Sequence, residues 1–401
     1  MEHFESQFIS PTMNLLLVMV LVWTTGVVFR KIKQPPVLGE LLAGIIFGPP
    51  ILGIIQYDHT LKVLSELGVF FLMFYAGLET NPIVFRHTYK KSALTGLGGF
   101  VFPFFISYFV CIYGFQLNFQ QSVFISLGLS ITAIAVNARI LNDLKLQKYR
   151  IMPVIIGASI IDDVLSFAIF SAIVGDVMSS SSFNWQRLFF DLLKVLLFFT
   201  VSIFIGIKLM PKMSKLLSSR EAKGFTFSLI VALIFGILAE LAGLHIILGA
   251  YMAGLFVREE IVHRDLFQKI NDRFVAITYG FLGPIFFVSL SFHVTFEIFQ
   301  THLAEIIILL IIAILGKVIG AGLGAYASKM NIKESTVIGL AMNGRGAVEL
   351  IIASIGLELG IIDNILFSIL VIIAFVTTLI PPISLSLFFT RYKKNGLAEI
   401  S

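Results

Sequence analysis

This sequence predicts an all-α polytopic membrane protein, and three observations carry the prediction. Of its 401 residues, 57% are hydrophobic and only 13% are charged, about half the charged fraction of an ordinary soluble domain. The mean hydropathy is +0.96. Its apolar residues gather into runs of spanning or near-spanning length, punctuated by short basic segments. Forty phenylalanines and 32 glycines fit helices that face lipid and approach one another closely.

The runs fall at 14–30, 37–55, 61–78, 92–115, 119–142, 151–177, 188–210, 223–241, 244–257, 276–293, 302–328, 335–358 and 364–390. That makes thirteen candidate transmembrane helices. The ninth is short and is split from the eighth only by Ala242-Gly243, so twelve is the alternative count. Residues 1–13 carry Glu2 and Glu5 where a signal peptide would be basic, and Arg30, Lys31 and Lys33 follow the first run at once. This reads as a first span with its N-terminus outside.

With thirteen spans the inner segments hold twenty-four of the 29 lysines and arginines, and the outer side keeps Lys62, Arg187 and Lys194. The asymmetry satisfies the positive-inside rule and puts the C-terminus in the cytoplasm. It also accounts for the net charge of +5, so no nucleic-acid partner is implied. Cys111 is the single cysteine, which excludes an internal disulfide. Ser179 to Ser182 reads as an outer loop, and the amphipathic stretch Glu259 to Phe274 as a cytoplasmic linker helix.

Asp162 and Asp163 sit side by side near the middle of the sixth run. An acid at the bilayer midplane costs a few kcal/mol or more, so intramembrane carboxylates default to function. Neighbours on a helix point about 100° apart, so the two cannot share one contact. One can face a buried partner while the other faces a cavity, which suggests a site that binds and releases protons or cations.

Two basic residues fall inside late runs. Lys317 lies too deep in the eleventh to snorkel easily, and an ion pair with a buried acid is its cheapest fate. Arg345 lies in Asn343-Gly344-Arg345-Gly346-Ala347-Val348-Glu349, a polar, glycine-rich interruption of the twelfth run. The fifth run has a milder interruption from Ser130 through Thr132 to Asn137. Either could be only a kink. Broken helices at matching positions in two halves point to a transporter site, and the spacing fits an inverted repeat of spans four to six on eleven to thirteen. Glu40, Glu66 and Glu79 lie near helix ends, where capping or solvation suffices; Glu240 and Glu305 suit subunit contacts, and His245 suits packing.

These residues resemble the bacterial sodium/proton antiporters of the monovalent cation:proton antiporter-2 family. The match rests on Ala158-Ser159-Ile160-Ile161-Asp162-Asp163, Gly316-Lys317-Val318-Ile319-Gly320 and the Arg345-Gly346 break. Pro36 to Gly44 and Phe74 to Glu79 are similar to the family's opening helices.

The resemblance implies a thirteen-helix homodimer with two crossed broken helices. Dimerisation helices would occupy 1–91, 223–275 (with the cytoplasmic linker) and 276–301, and the core 92–177 and 302–390. A linker helix would lie at 178–222 and a cytoplasmic tail at 391–401. It also implies that Asp163 binds Na+ or H+, with Asp162 beside it as metal ligand and partner of Lys317. Thr132, Asn137, Asn343, Arg345 and Glu349 would form the crossing, with Ser130 and Ser159 as auxiliary ligands. Thr132-Ala133-Ile134-Ala135 departs from the family's hydroxyl-rich pattern, and Glu349, four residues after Arg345, resembles some broad-cation exchangers. K+ therefore stays open beside Na+. No nucleotide-binding tail is evident after Arg391.

The expected activity is exchange of cytoplasmic Na+ for external H+ across a bacterial inner membrane, with no cofactor. Competition of the two ions for one carboxylate, with alternating access by an elevator-like displacement of the core, gives obligatory exchange. If cation binding frees a proton from Lys317 as well, transport is electrogenic; otherwise the stoichiometry is one to one. A channel would need a repeated filter loop, and none occurs. An intramembrane aspartyl protease would need aspartates from different helices meeting at one water, and adjacent ones cannot do so.

Overall fold

The computed structural model describes residues 2–32, 34–79, 82–132, 150–178, 185–214, 221–242, 244–257 and 264–394, and every apolar run carries helix. The first run lies in α1 (Glu2–Lys31), the second in α2 (Pro36–Phe47) and the third in α3 (His59–Glu79). Next come α4 (Pro82–Phe109, prolonged by a π turn over Val110–Gly114), α5 (Phe119–Ser130) and α6 (Ile151–Met178). They are followed by α7 (Trp185–Ser214), α8 (Glu221–Leu241) and α9 (Ile246–Phe256). α10 (Arg264–Ile277) runs through a π turn (Thr278–Leu282) into α11 (Gly283–Ser291). The chain continues as α12 (Ile298–Thr301), α13 (Leu303–Ala327), α14 (Ile332–Ala341), α15 (Ala347–Glu358) and α16 (Asn364–Lys394). Among the described residues, eight helical stretches are long and apolar enough to cross a membrane.

Side-chain caps set several starts. Asn118 and Gln121 form a capping box on α5, with Asn118 Oδ1 accepting from the Gln121 N–H at 2.9 Å, and Asn331 with Glu334 repeats it on α14 at 2.8 Å. His245 Nδ1 accepts from the Ile247 N–H at 3.4 Å. The histidine thus caps α9, and the eighth and ninth runs are separate helices.

Several boundaries differ from the sequence reading: α1 and α4 begin about ten residues before their apolar runs, and two further differences have a local cause. The second run extends to residue 55, yet α2 stops at Phe47. Gly48-Pro49-Pro50 explains the stop, because a proline disfavours helix in the residue before it and offers no N–H. In the tenth run the helix begins earlier, because α10 continues directly into it. Ser179 to Ser182 and residues 258–263 of the linker lie outside the described residues.

The chain divides into two compact units, Met1–Thr80 with Ser171–Val294, and Asn81–Phe170 with Thr295–Ser401. In the first, α2 meets α11 where Gly44 abuts Ser291, and α3 meets α9 where Gly77 abuts the Tyr251 carbonyl. Glu40 is buried here, where solvation was expected, while Glu66 is exposed and 4.0 Å from Lys62.

The second unit holds the unusual charges. Gly316, Gly320 and Gly324 recur every fourth residue and so share one face of α13. A methyl at Gly320 would stand 2.3 Å from the Gly98 carbonyl, and one at Gly324 would stand 2.1 Å from that of Leu94. Only glycine lets α4 and α13 lie this close. On another face, Ala321 and Ala325 join Val154, Ile155 and Ala158 of α6 and Val337, Ile338 and Ala341 of α14 in one core. That packing brings the middle of α6, the middle of α13 and the end of α14 together.

Gly320→Ala should therefore destabilise by overpacking, by about 1–3 kcal/mol. Gly322, whose added methyl would stand 3.4 Å from the Ser335 carbonyl, should accept alanine with little change. Thermal unfolding of both variants in detergent checks this, and equal melting temperatures would refute the close-approach account.

Candidate ion-binding site

Asp162 and Asp163 are buried in the middle of α6, with 0% and 2% of their surfaces exposed. Lys317 of α13 is also fully buried, and its Nζ lies 2.5 Å from Asp162 Oδ2. The Thr132 hydroxyl stands 2.6 Å from the same oxygen and 3.2 Å from the Met342 carbonyl. Its single hydrogen serves the shorter contact, so Asp162 Oδ2 takes two donors. An ammonium in this apolar setting is tolerable only because its partner is so close. Oδ1 of Asp162 and Oδ1 of Asp163 have no hydrogen-bond partner among the described residues. Asp162 is committed to Lys317; Asp163 is not.

Two interruptions border this pair. α5 ends at Ser130, and Ile131 is extended (φ −74°, ψ 148°). The last carbonyls of α5 therefore lack partners within the helix and form its negative end. The Arg345 guanidinium donates to two of them, those of Gly128 and Leu129. Residues 342–346 between α14 and α15 are non-helical. Arg345 Nη1 also lies 3.2 Å from Glu349 Oε1. Glu349 sits in the first turn of α15, whose positive end favours an acid. Each helix end thus meets a charge of the opposite sign. Thr378 of α16 donates mainly to the Ala374 carbonyl, at 2.6 Å, with the Arg345 carbonyl a second acceptor at 3.0 Å. Asn343 donates its amide to the Gly339 carbonyl at 3.0 Å, which leaves its own Oδ1 without a partner among the described residues.

Asp162, Asp163, Lys317, Thr132, Asn343, Arg345 and Glu349 all fall in one compact unit. Asn137 lies outside the described residues. Ser130 donates to the Ser126 carbonyl at 2.7 Å, along its own helix. Ser159 donates to the Ile155 carbonyl at 3.0 Å and approaches Met342 Sδ at 3.8 Å. The sequence reading missed the Gly128 and Leu129 carbonyls and Thr378. The two carbonyls leave no trace in sequence; Thr378 was visible only as a hydroxyl in an apolar run.

Comparison with known proteins places the chain in a family. The family described as sodium/hydrogen exchanger, transmembrane, matches residues 16–391. The chain is 33% identical over 356 residues to the Na+/H+-K+ antiporter GerN of Bacillus cereus, covering 88% of this chain and 89% of that protein. It is 30% identical over 385 residues to a Na+/H+ antiporter of Enterococcus hirae, covering 95% and 99%. In three dimensions it is similar to the sodium proton antiporter MjNhaP1 of Methanocaldococcus jannaschii, with a TM-score of 0.73 over 93% of this chain and 95% of that one, at 18% identity.

The family match and the relatives make this a multi-pass integral membrane transporter, not an enzyme. The chain belongs to the sodium/hydrogen exchanger family, a family of monovalent cation:proton antiporters.

Asp162→Asn would strand Lys317 as a buried, unpaired charge. It should cost about 3–5 kcal/mol of stability and lower the melting temperature in detergent. An Asp162→Asn protein as stable as the wild type would contradict the assignment of Lys317 to Asp162.

Proposed function

We propose that this protein exchanges cytoplasmic Na+ for external H+ at Asp163, by alternating access. One observation carries the reading: a buried carboxylate with an unpartnered oxygen lies next to an ion pair that neutralises its neighbour. Burial disfavours a bare charge, so Asp163 holds either a proton or a dehydrated cation. It cannot hold both. Exchange is then obligatory, because the carboxylate must be occupied whenever it passes between the two sides. The names of the Bacillus cereus and Enterococcus hirae proteins support cation/proton exchange, and the former keeps K+ as the alternative cargo.

The finer parts of the reading rest on further supports. Thirteen spans, with the N-terminus outside and the C-terminus in the cytoplasm of a bacterial inner membrane, follow from the distribution of basic residues. The gathering of the site within one unit supports an elevator-type displacement of a core near 92–177 and 302–390. The contacts of Thr132 with Met342, and of Arg345 with Gly128 and Leu129, support two broken helices that cross. A homodimer is inferred from the family resemblance alone. Electrogenic exchange follows if Na+ neutralises the local acids, so that Lys317 loses its partner and sheds its proton with that of Asp163.

Reconstitution in proteoliposomes tests the reading. An outward Na+ gradient should drive proton uptake, and an imposed membrane potential should alter the rate. Asp163→Asn should abolish exchange while the protein keeps its melting temperature. Cation-dependent proton movement in that variant would overturn the assignment of Asp163, and indifference to the potential would exclude the electrogenic form.

A further inference from the structure

Two buried serines of α6, Ser166 and Ser171, are left unused by the exchange reading, and Ser166 is the one a single turn from Asp162. It has no exposed surface, and its hydroxyl has no hydrogen-bond partner among the described residues. Buried hydroxyls on helices usually donate to the carbonyl one turn back. In the same unit Ser107, Ser126, Ser130 and Ser159 all do so, at 2.7–3.0 Å. Ser166 does not. Leaving such a group unpaired costs about 1–3 kcal/mol, so a position that keeps one calls for an explanation.

Helix geometry says what the hydroxyl faces. At about 100° per residue, taking Asp162 as zero, Asp163 lies near 100° and Ser166 near 40°. Ser166 therefore stands in the sector between the two carboxylates, one turn towards the C-terminus. Every Cα–Cβ bond of a helix tilts towards its N-terminus, so the Ser166 side chain leans back towards the aspartates. Ser159 shares the sector from the other side, but it leans away and spends its hydrogen on Ile155.

We propose that Ser166 is a ligand of the transported cation, its hydroxyl oxygen completing the coordination that Asp163 begins. The proposal rests on the exchange reading and deepens it. A hard, dehydrated monovalent cation takes oxygen donors, and a neutral hydroxyl adds one without adding charge. Cation affinity then depends on Ser166, whereas the proton, bound covalently to one carboxylate oxygen, needs no second ligand. This separates the two halves of the exchange cycle.

The test measures Na+ half-saturation and maximal rate in proteoliposomes for wild type, Ser166→Ala and Ser166→Cys, with Asp163→Asn alongside. Ser166→Ala should raise the half-saturating Na+ concentration about tenfold, the scale of one lost interaction with a charged group, at an unchanged melting temperature. Ser166→Cys nearly keeps the volume but replaces the hard oxygen by a soft sulfur, so it should show the same loss even if alanine disturbs packing. Wild-type half-saturation in both serine variants, with Asp163→Asn inactive, would overturn the role of Ser166 and leave the exchange reading intact. Exchange by Asp163→Asn would overturn that reading itself.

Discussion

Lys317 and Asp162 meet with no access to solvent, and much of the second unit is organised around making that meeting possible. A lysine in the middle of an apolar helix has no escape to an interface, so its partner must be held within contact distance wherever the chain goes. The glycine face of α13 against α4, and the alanine and valine core shared by α6, α13 and α14, hold it there. Thr132 adds a second donor to the same carboxylate oxygen. A buried pair of this kind contributes little net stability compared with an apolar replacement. Its consequence lies elsewhere: with Asp162 neutralised by Lys317, Asp163 is left as a buried acid without a basic partner of its own among the described residues, which is why the proposed exchange is placed there.

The same economy governs the interrupted helices. A chain that stops being helical inside a membrane exposes carbonyls and N–H groups that lipid cannot satisfy. Arg345 answers for the end of α5, while Thr132 and Thr378, whose hydrogens go mainly to Asp162 and the Ala374 carbonyl, stand only as second, longer contacts to the Met342 and Arg345 carbonyls. Glu349 then balances Arg345 at the start of α15. Among the described residues, the acceptors left without hydrogen-bond donors around the site are one oxygen each on Asp162, Asp163 and Asn343 and both oxygens of Glu349.

Much of this was legible in the sequence because a membrane makes charges expensive. Asp162, Asp163, Lys317 and Arg345 stand out in apolar runs without any structural knowledge. Other features were hidden for physical reasons. That Arg345 reaches Gly128 and Leu129, more than two hundred positions away, depends on helix packing, and the acceptors are backbone atoms that every residue carries. Ser166 looked like one more small residue suited to close packing. Its failure to bond one turn back, together with its place beside the two aspartates, singles it out, and the first of these is a matter of rotamer, not of sequence. The early end of α2 was readable from Gly48-Pro49-Pro50, but the apolar residues beyond it suggested continuation.

Competition between Na+ and H+ for Asp163 is the central claim, and equilibrium binding tests it without any membrane. Calorimetric titration of the purified protein with Na+ would be run across a pH series, in buffers of different ionisation enthalpy. The account predicts proton release on cation binding and, on the acid side, an apparent affinity that falls about tenfold per pH unit for each proton displaced. Cation binding that releases no proton and keeps one affinity across the series would contradict it.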